Sequence, residues 1–205
     1  MSLRRLKIVP LLLVAALLAA GCGASRAKSP GATAANTLRG HEVADSDNDG
    51  AYIEAGGVTY QLEVSRAMNP WNVEDSQYIK GLPAGVSATG LPPDKLWYGV
   101  FLWAKDQHHR AIVTPPASQF EIADTLGHIY RPVAMDSGVN PFAWNSEQLQ
   151  YGETEPGEDS TASNGFIGGK LLLFEVSDSI YDNRPLTLYV LSSTGKREAE
   201  ISLDL

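Results

Sequence analysis

Val58-Thr59-Tyr60-Gln61-Leu62-Glu63-Val64-Ser65 alternates apolar and polar residues at every step. Successive side chains of a β-strand point to opposite faces, so this stretch reads as a strand. Val58, Tyr60, Leu62 and Val64 are expected on a core, with Thr59, Gln61, Glu63 and Ser65 in water. Trp97 to Ala104 (Trp-Tyr-Gly-Val-Phe-Leu-Trp-Ala) is apolar on both faces and reads as a central strand. Phe120 and Ile122 alternate with Glu121 and Ala123, and Asp124-Thr125-Leu126-Gly127 then turns the chain toward Ile129-Tyr130, a hairpin signal. Leu171 to Val176 reads as another well-buried strand. Leu186, Leu188 and Val190 alternate with Thr187 and Tyr189, and after a turn at Gly195-Lys196 come Ile201, Leu203 and Leu205. No long amphipathic helix interrupts this order. About six or seven strands separated by Gly, Pro and Asn turns predict an all-β, antiparallel sandwich, with a closed barrel as the alternative.

The segment ahead of this domain is of another kind. Arg4, Arg5 and Lys7 precede an apolar run from Ile8 to Ala20. A spanning helix needs about 20 apolar residues; a shorter apolar core behind a basic start is the pattern of an export signal. Residues 15–22 read Ala-Ala-Leu-Leu-Ala-Ala-Gly-Cys, and Cys22 is the single cysteine of the chain. This resembles the bacterial lipoprotein box, with Ala19 where leucine is commonest. The resemblance implies that residues 1–21 are removed and that Cys22 is acylated. Each buried acyl methylene contributes about 0.8 kcal/mol, and two chains together anchor stably. Gly23 follows, so the inner-membrane retention aspartate of Gram-negative lipoproteins is absent. Residues 22–51 are rich in Ala, Gly, Ser, Thr and Asn without apolar periodicity, and read as a flexible tether. Residues 52–205 are then the folded domain, extracytoplasmic and held at the cell membrane through Cys22. With one cysteine it has no intramolecular disulfide, and its core alone must hold it.

The net charge is −8, with 16 Lys and Arg against 24 Asp and Glu, and loss of Arg4, Arg5 and Lys7 makes the mature chain more acidic still. Nucleic-acid binding rests on Lys and Arg neutralising phosphate, so that partner class is excluded. The expected partners are the membrane, through the acyl chains, and an envelope protein or glycan.

Four strings follow a familiar order: Val58-Thr-Tyr-Gln-Leu-Glu-Val64, Leu96-Trp-Tyr-Gly-Val-Phe-Leu102, Phe120 through Pro132, and Gly169-Lys-Leu-Leu-Leu-Phe-Glu-Val176. In that order the chain resembles the immunoglobulin-like domains of unknown function found in secreted and lipid-anchored bacterial proteins, especially of Gram-positive and actinobacterial type. The resemblance implies an immunoglobulin-like β-sandwich acting beside the membrane as a partner-binding or structural domain, and it brings no catalytic residues. Lys105-Asp106-Gln107-His108-His109 departs from the Asn-bearing turn that usually ends the central strand there.

Candidate chemistry is sparse. Asp45, Asp47 and Asp49, ending in Gly50, match the first half of an oxygen-ligand calcium loop. Its twelfth position is Gly56 where a bidentate Glu is expected, so a solvated acidic tether end competes with calcium, the one cofactor considered. His108 and His109, adjacent in an extended segment, would point to opposite faces and chelate poorly; His41 and His128 stand apart. There is no Gly-x-Ser-x-Gly elbow and no glycine-rich phosphate loop, and lipidation consumes the one thiol.

Two long loops are expected, Met68 to Lys95 and Asp136 to Gly169. Long loops on a rigid scaffold commonly carry function. The second holds Glu147, Glu153, Glu155, Glu158 and Asp159, and each contains an Asn-Pro-aromatic segment. Asn69-Pro70-Trp71 is followed by Asp75 and Tyr78; Asn140-Pro141-Phe142-Ala143-Trp144 opens the other. Proline fixes φ and holds the preceding residue extended, so each aromatic is presented in a defined direction. Asn69, Trp71, Asp75, Asn140, Phe142 and Trp144 are the candidate partner-binding residues. In the competing structural reading, Trp71 and Trp144 tuck under their loops and close the ends of the sandwich. The function expected is a non-catalytic binding or structural module. The alternatives are an extracellular hydrolase of wall or glycan substrates, or a small-ligand carrier.

Overall fold

The structure, a computed structural model, describes residues 52–107 and 113–203. Cys22, the segments expected to be signal and tether, the calcium candidates Asp45, Asp47 and Asp49, His41 and the pair His108-His109 lie outside the described residues. Within them the chain forms strands β1 (Tyr52–Ala55), β2 (Val58–Met68), β3 (Lys95–Asp106), β4 (Gln119–Ala123), β5 (Ile129–Tyr130), β6 (Thr154–Glu155), β7 (Lys170–Ser177), β8 (Thr187–Leu191) and β9 (Arg197–Ser202). One helical turn, α1 (Val73–Ser76), sits in the first long loop, and a 3-10 helix covers Asp178–Asn183.

The strands make two antiparallel sheets. The first runs β1-β2-β3, with β7 and then β6 along the far side of β3; the second runs β5-β4-β8-β9. The fold is therefore an all-β antiparallel sandwich, and the described strands do not close into a barrel. β1, absent from the alternation that marks β2, follows from its turn. Gly56 and Gly57 both adopt positive φ (61° and 84°) between the paired residues Ala55 and Val58. That geometry makes the two-residue connection which strand twist favours.

Tyr60, Leu62, Tyr98, Val100, Leu102, Phe120, Ile122, Phe174, Leu188 and Val190 meet between the sheets in one core. The other face of β3 is apolar because it too is covered. Trp97 and Phe101, with Met68, Leu171 and Leu173, pack under Tyr78 and Ile79 of the first long loop and Phe142 and Ala162 of the second. The two loops are thus a third layer on the outer face of the first sheet. Gly99 is needed where that layer meets β3: a Cβ there would stand 3.0 Å from both Leu171 Cδ1 and Met68 Sδ.

The strand that decides the fold departs from strict alternation at one point. A β-bulge lies between Leu62 and Val64, where the register against β3 shifts. An extra residue in one strand inverts the facing of everything after it. Val58, Tyr60 and Leu62 therefore enter the inter-sheet core as expected, whereas Val64 packs with Met68 on the outer face. Ser65, expected in water, turns inward and bonds the Tyr98 hydroxyl at 3.0 Å.

Candidate functional site

The bulge at Glu63 brings Val64 and Arg66 to the outer face, where the two long loops converge. Arg66 grips Asp75 of α1 with both guanidinium nitrogens; Nη1 donates to Oδ2 at 3.1 Å, and Nη2 donates to Oδ1. The backbone N–H of Asn69 donates to the same Oδ2 at 2.7 Å. Asp75 is 3% exposed, and burial is the largest influence on its carboxyl, acting upward. The Arg66 and Asn69 hydrogen bonds outweigh it and hold the carboxyl below the usual range. Asn69 Oδ1 accepts from the Trp71 N–H at 3.0 Å, and Asn72 caps α1 by accepting from the Glu74 N–H at 2.8 Å. With Asn72 N donating to Asn69 O (3.0 Å) and Ser76 N to Asn72 O (2.9 Å), short-range bonds hold both ends of the segment from Asn69 to Ser76.

The second loop is tied to the first through Tyr78. Its ring packs edge-on against Phe101 (5.1 Å between centroids) and Phe142 (4.6 Å), and its hydroxyl accepts from the Ile167 N–H at 3.1 Å. Asn140, fully buried, donates from Nδ2 to Tyr78 O (2.7 Å) and Lys80 O (3.1 Å). Its Oδ1 accepts from the Phe142 N–H at 3.0 Å, so one amide latches the two loops together.

Between these parts runs an open groove of about 450 Å³. It is lined by Glu63, Val64 and Arg66 from β2, by Asn72 and Glu74 from the first loop, and by Phe166 and Ile167 from the second. The groove is shallow and largely open to solvent, a surface suited to contact rather than enclosure. Large apolar side chains stand out around it: Trp71 is 77% exposed, Val73 86% and Phe166 78%.

The six candidate residues separate into three groups. Asp75 is part of the groove's lining, whereas Asn69 and Trp71 precede the lining residue Asn72 on the adjoining segment, Trp71 in solvent. Asn140 and Phe142 lie beneath it, buried in the loop layer, and present nothing outward. Trp144 is on another side of the first sheet, partly buried against the inter-sheet core. It packs edge-on to Phe120 (5.2 Å) and near Tyr60 (6.2 Å), and its Nε1 donates to Ala117 O at 2.9 Å. The two Asn-Pro-aromatic segments therefore do not share one aromatic patch. Backbone bonds explain the separation: Leu171 N donates to Phe142 O (2.6 Å) and Trp144 N to Leu171 O (3.0 Å). These pin residues 142–144 to the edge of β7. Trp144 closes one side of the sandwich while Trp71 is left in solvent. Phe166, Glu63 and Glu74 were not among the expected residues; the one sequence sign of Phe166 is an isolated aromatic after the turn pair Asn164-Gly165.

Among the loop acids, Glu155 is the buried one. Burial pushes its carboxyl upward, partly offset by Lys170, whose Nζ lies 3.1 Å away and also donates to Pro141 O at 3.0 Å. His128 contacts buried Asp124 (2.8 Å) within the β4–β5 turn. Among the described residues no group of three or more His, Cys, Asp or Glu side chains is placed to hold a metal ion.

Neither known families nor known proteins resolve the site. No family model, curated protein or solved structure matches this chain. The functional reading therefore rests on the groove and on the sequence.

Proposed function

We propose that this chain is an extracytoplasmic lipoprotein, anchored through acyl chains on Cys22, whose immunoglobulin-like sandwich is a non-catalytic binding module of the cell envelope. The export signal and single cysteine support the anchoring. The observation that carries the binding role is the groove, with Phe166 exposed in its lining and Trp71 exposed on the adjoining segment just before Asn72. Exposed aromatics on a pre-organised support are the residues that dominate binding energy at interfaces. The partner is an envelope protein or glycan.

The test is capture of a partner by in-cell crosslinking of the full chain, compared with the Trp71→Ala/Phe166→Ala double variant. Loss of the captured species at an unchanged melting temperature supports the reading. Retention of the same species ends the groove's role.

A further inference from the structure

We propose that the groove takes a polypeptide segment bearing lysine or arginine, an inference that rests on the groove being the binding site. The charge of the groove is the starting point. Arg66 is its cation, and Asp75 neutralises it from a buried position. Glu63 and Glu74 then remain as two further exposed carboxylates with no hydrogen bond or ion pair among the described residues, Glu74 lying in the field of Arg66 behind the closer Asp75. An open groove whose lining sets one cation, Arg66, against three carboxylates, Glu63, Glu74 and Asp75, attracts a cation, and the chain's net charge of −8 adds a long-range pull of the same sign.

The aromatics complete the match. The long aliphatic stems of Lys and Arg cover apolar surface while their heads stay polar. Phe166, exposed in the groove's lining, offers a ring face for those stems and for the charge itself, and Trp71 is a second exposed ring on the segment leading to the lining residue Asn72. The bulge at Glu63 turns Val64 and Arg66 into the groove, so its base is part of the strand framework. A neutral sugar would stack on the same rings but leave both carboxylates unused.

The experiment is calorimetric titration of the purified full chain in neutral detergent micelles. The probes are an acetylated, amidated octapeptide of alternating Gly and Lys, the same octapeptide with Gln for Lys, and chitotetraose. Glu63→Gln/Glu74→Gln is compared with Glu158→Gln/Asp159→Asn, which removes equal charge from exposed positions elsewhere. The lysine peptide binds the parent chain in low salt. Its affinity falls about tenfold in the groove variant, the combined effect of two exposed ion pairs, and is unchanged in the control variant. The glutamine peptide and chitotetraose do not bind. The proposal is overturned if the lysine peptide fails to bind at about 1 mM, if both double variants weaken it equally, or if chitotetraose binds in its place. If it fails while Trp71→Ala/Phe166→Ala still strips a partner in cells, only the occupant is wrong; if that variant also changes nothing, the groove reading falls with it.

Discussion

Replacing Asp75 by Ala removes the carboxylate that holds the first loop to β2. Three hydrogen bonds go with it, two from Arg66 and one from the Asn69 N–H. A hydrogen bond to a charged group is worth about 1.5–3 kcal/mol, and that range applies to the Asn69 bond. Arg66 is about one-third exposed on its side chain, so water recovers most of what it loses, and the ion pair adds about 0.5–1 kcal/mol. The expected destabilisation is about 2–4 kcal/mol, from a domain whose total is on the order of 5–15 kcal/mol. Urea unfolding of both chains at pH 7 measures it, with the midpoint shifted and the slope unchanged. The dependence on pH is a second check. The native carboxyl lies below its unfolded value, so its stabilisation is complete above about pH 4 and is lost as pH falls through the native value. The gap between parent and variant therefore stays constant from about pH 5 to 7 and narrows in stronger acid. A loss under about 0.5 kcal/mol, or a gap that widens on acidification, refutes the reasoning.

The two solvent-adjacent tryptophans respond differently. Trp144→Ala costs about 3–5 kcal/mol because it opens a cavity beside Tyr60 and Phe120, whereas Trp71→Ala stays within about 0.5 kcal/mol, as paired melting curves show. Asn140→Ala leaves the carbonyls of Tyr78 and Lys80 without their donor and costs about 1–3 kcal/mol. Hydrogen exchange around Tyr78 and Ile167 rises with it, while the inter-sheet strands stay protected. Lys170→Met strands Glu155 in a buried site and costs about 3–5 kcal/mol at pH 7. That deficit shrinks as pH falls through the raised Glu155 value, because the protonated acid no longer needs a cation.

The sandwich was legible because its central strands are patterned over many residues. Val58 to Leu62 and Leu96 to Ala104 gave the sheet, and Phe120 to Tyr130 the hairpin of β4 and β5. The bulge was not legible. Glu63 fits strict alternation as well as a bulge does, and only pairing with β3 reveals that Val64 changes face. β1 was missed because four residues carry too little periodicity, although Gly56-Gly57 is a strong turn pair. The apolar outer face of β3 announced a cover without naming it. That cover is the two loops themselves, docked through Tyr78 and Asn140, contacts between residues about sixty positions apart. For the same reason the sequence could present Trp71 and Trp144 as equivalents. Which one is buried depends on where residues 142–144 pair with β7, a long-range fact.

The central claim is that binding occurs on the loop-covered face of the first sheet, at the groove. A photo-crosslinking residue placed at Val73, beside the groove, and another at Gln119, on the second sheet, compare the two faces in living cells. Capture of one partner from position 73, absent from position 119 and abolished by Trp71→Ala/Phe166→Ala, is the result this account predicts. Capture of that partner from position 119 alone would contradict it.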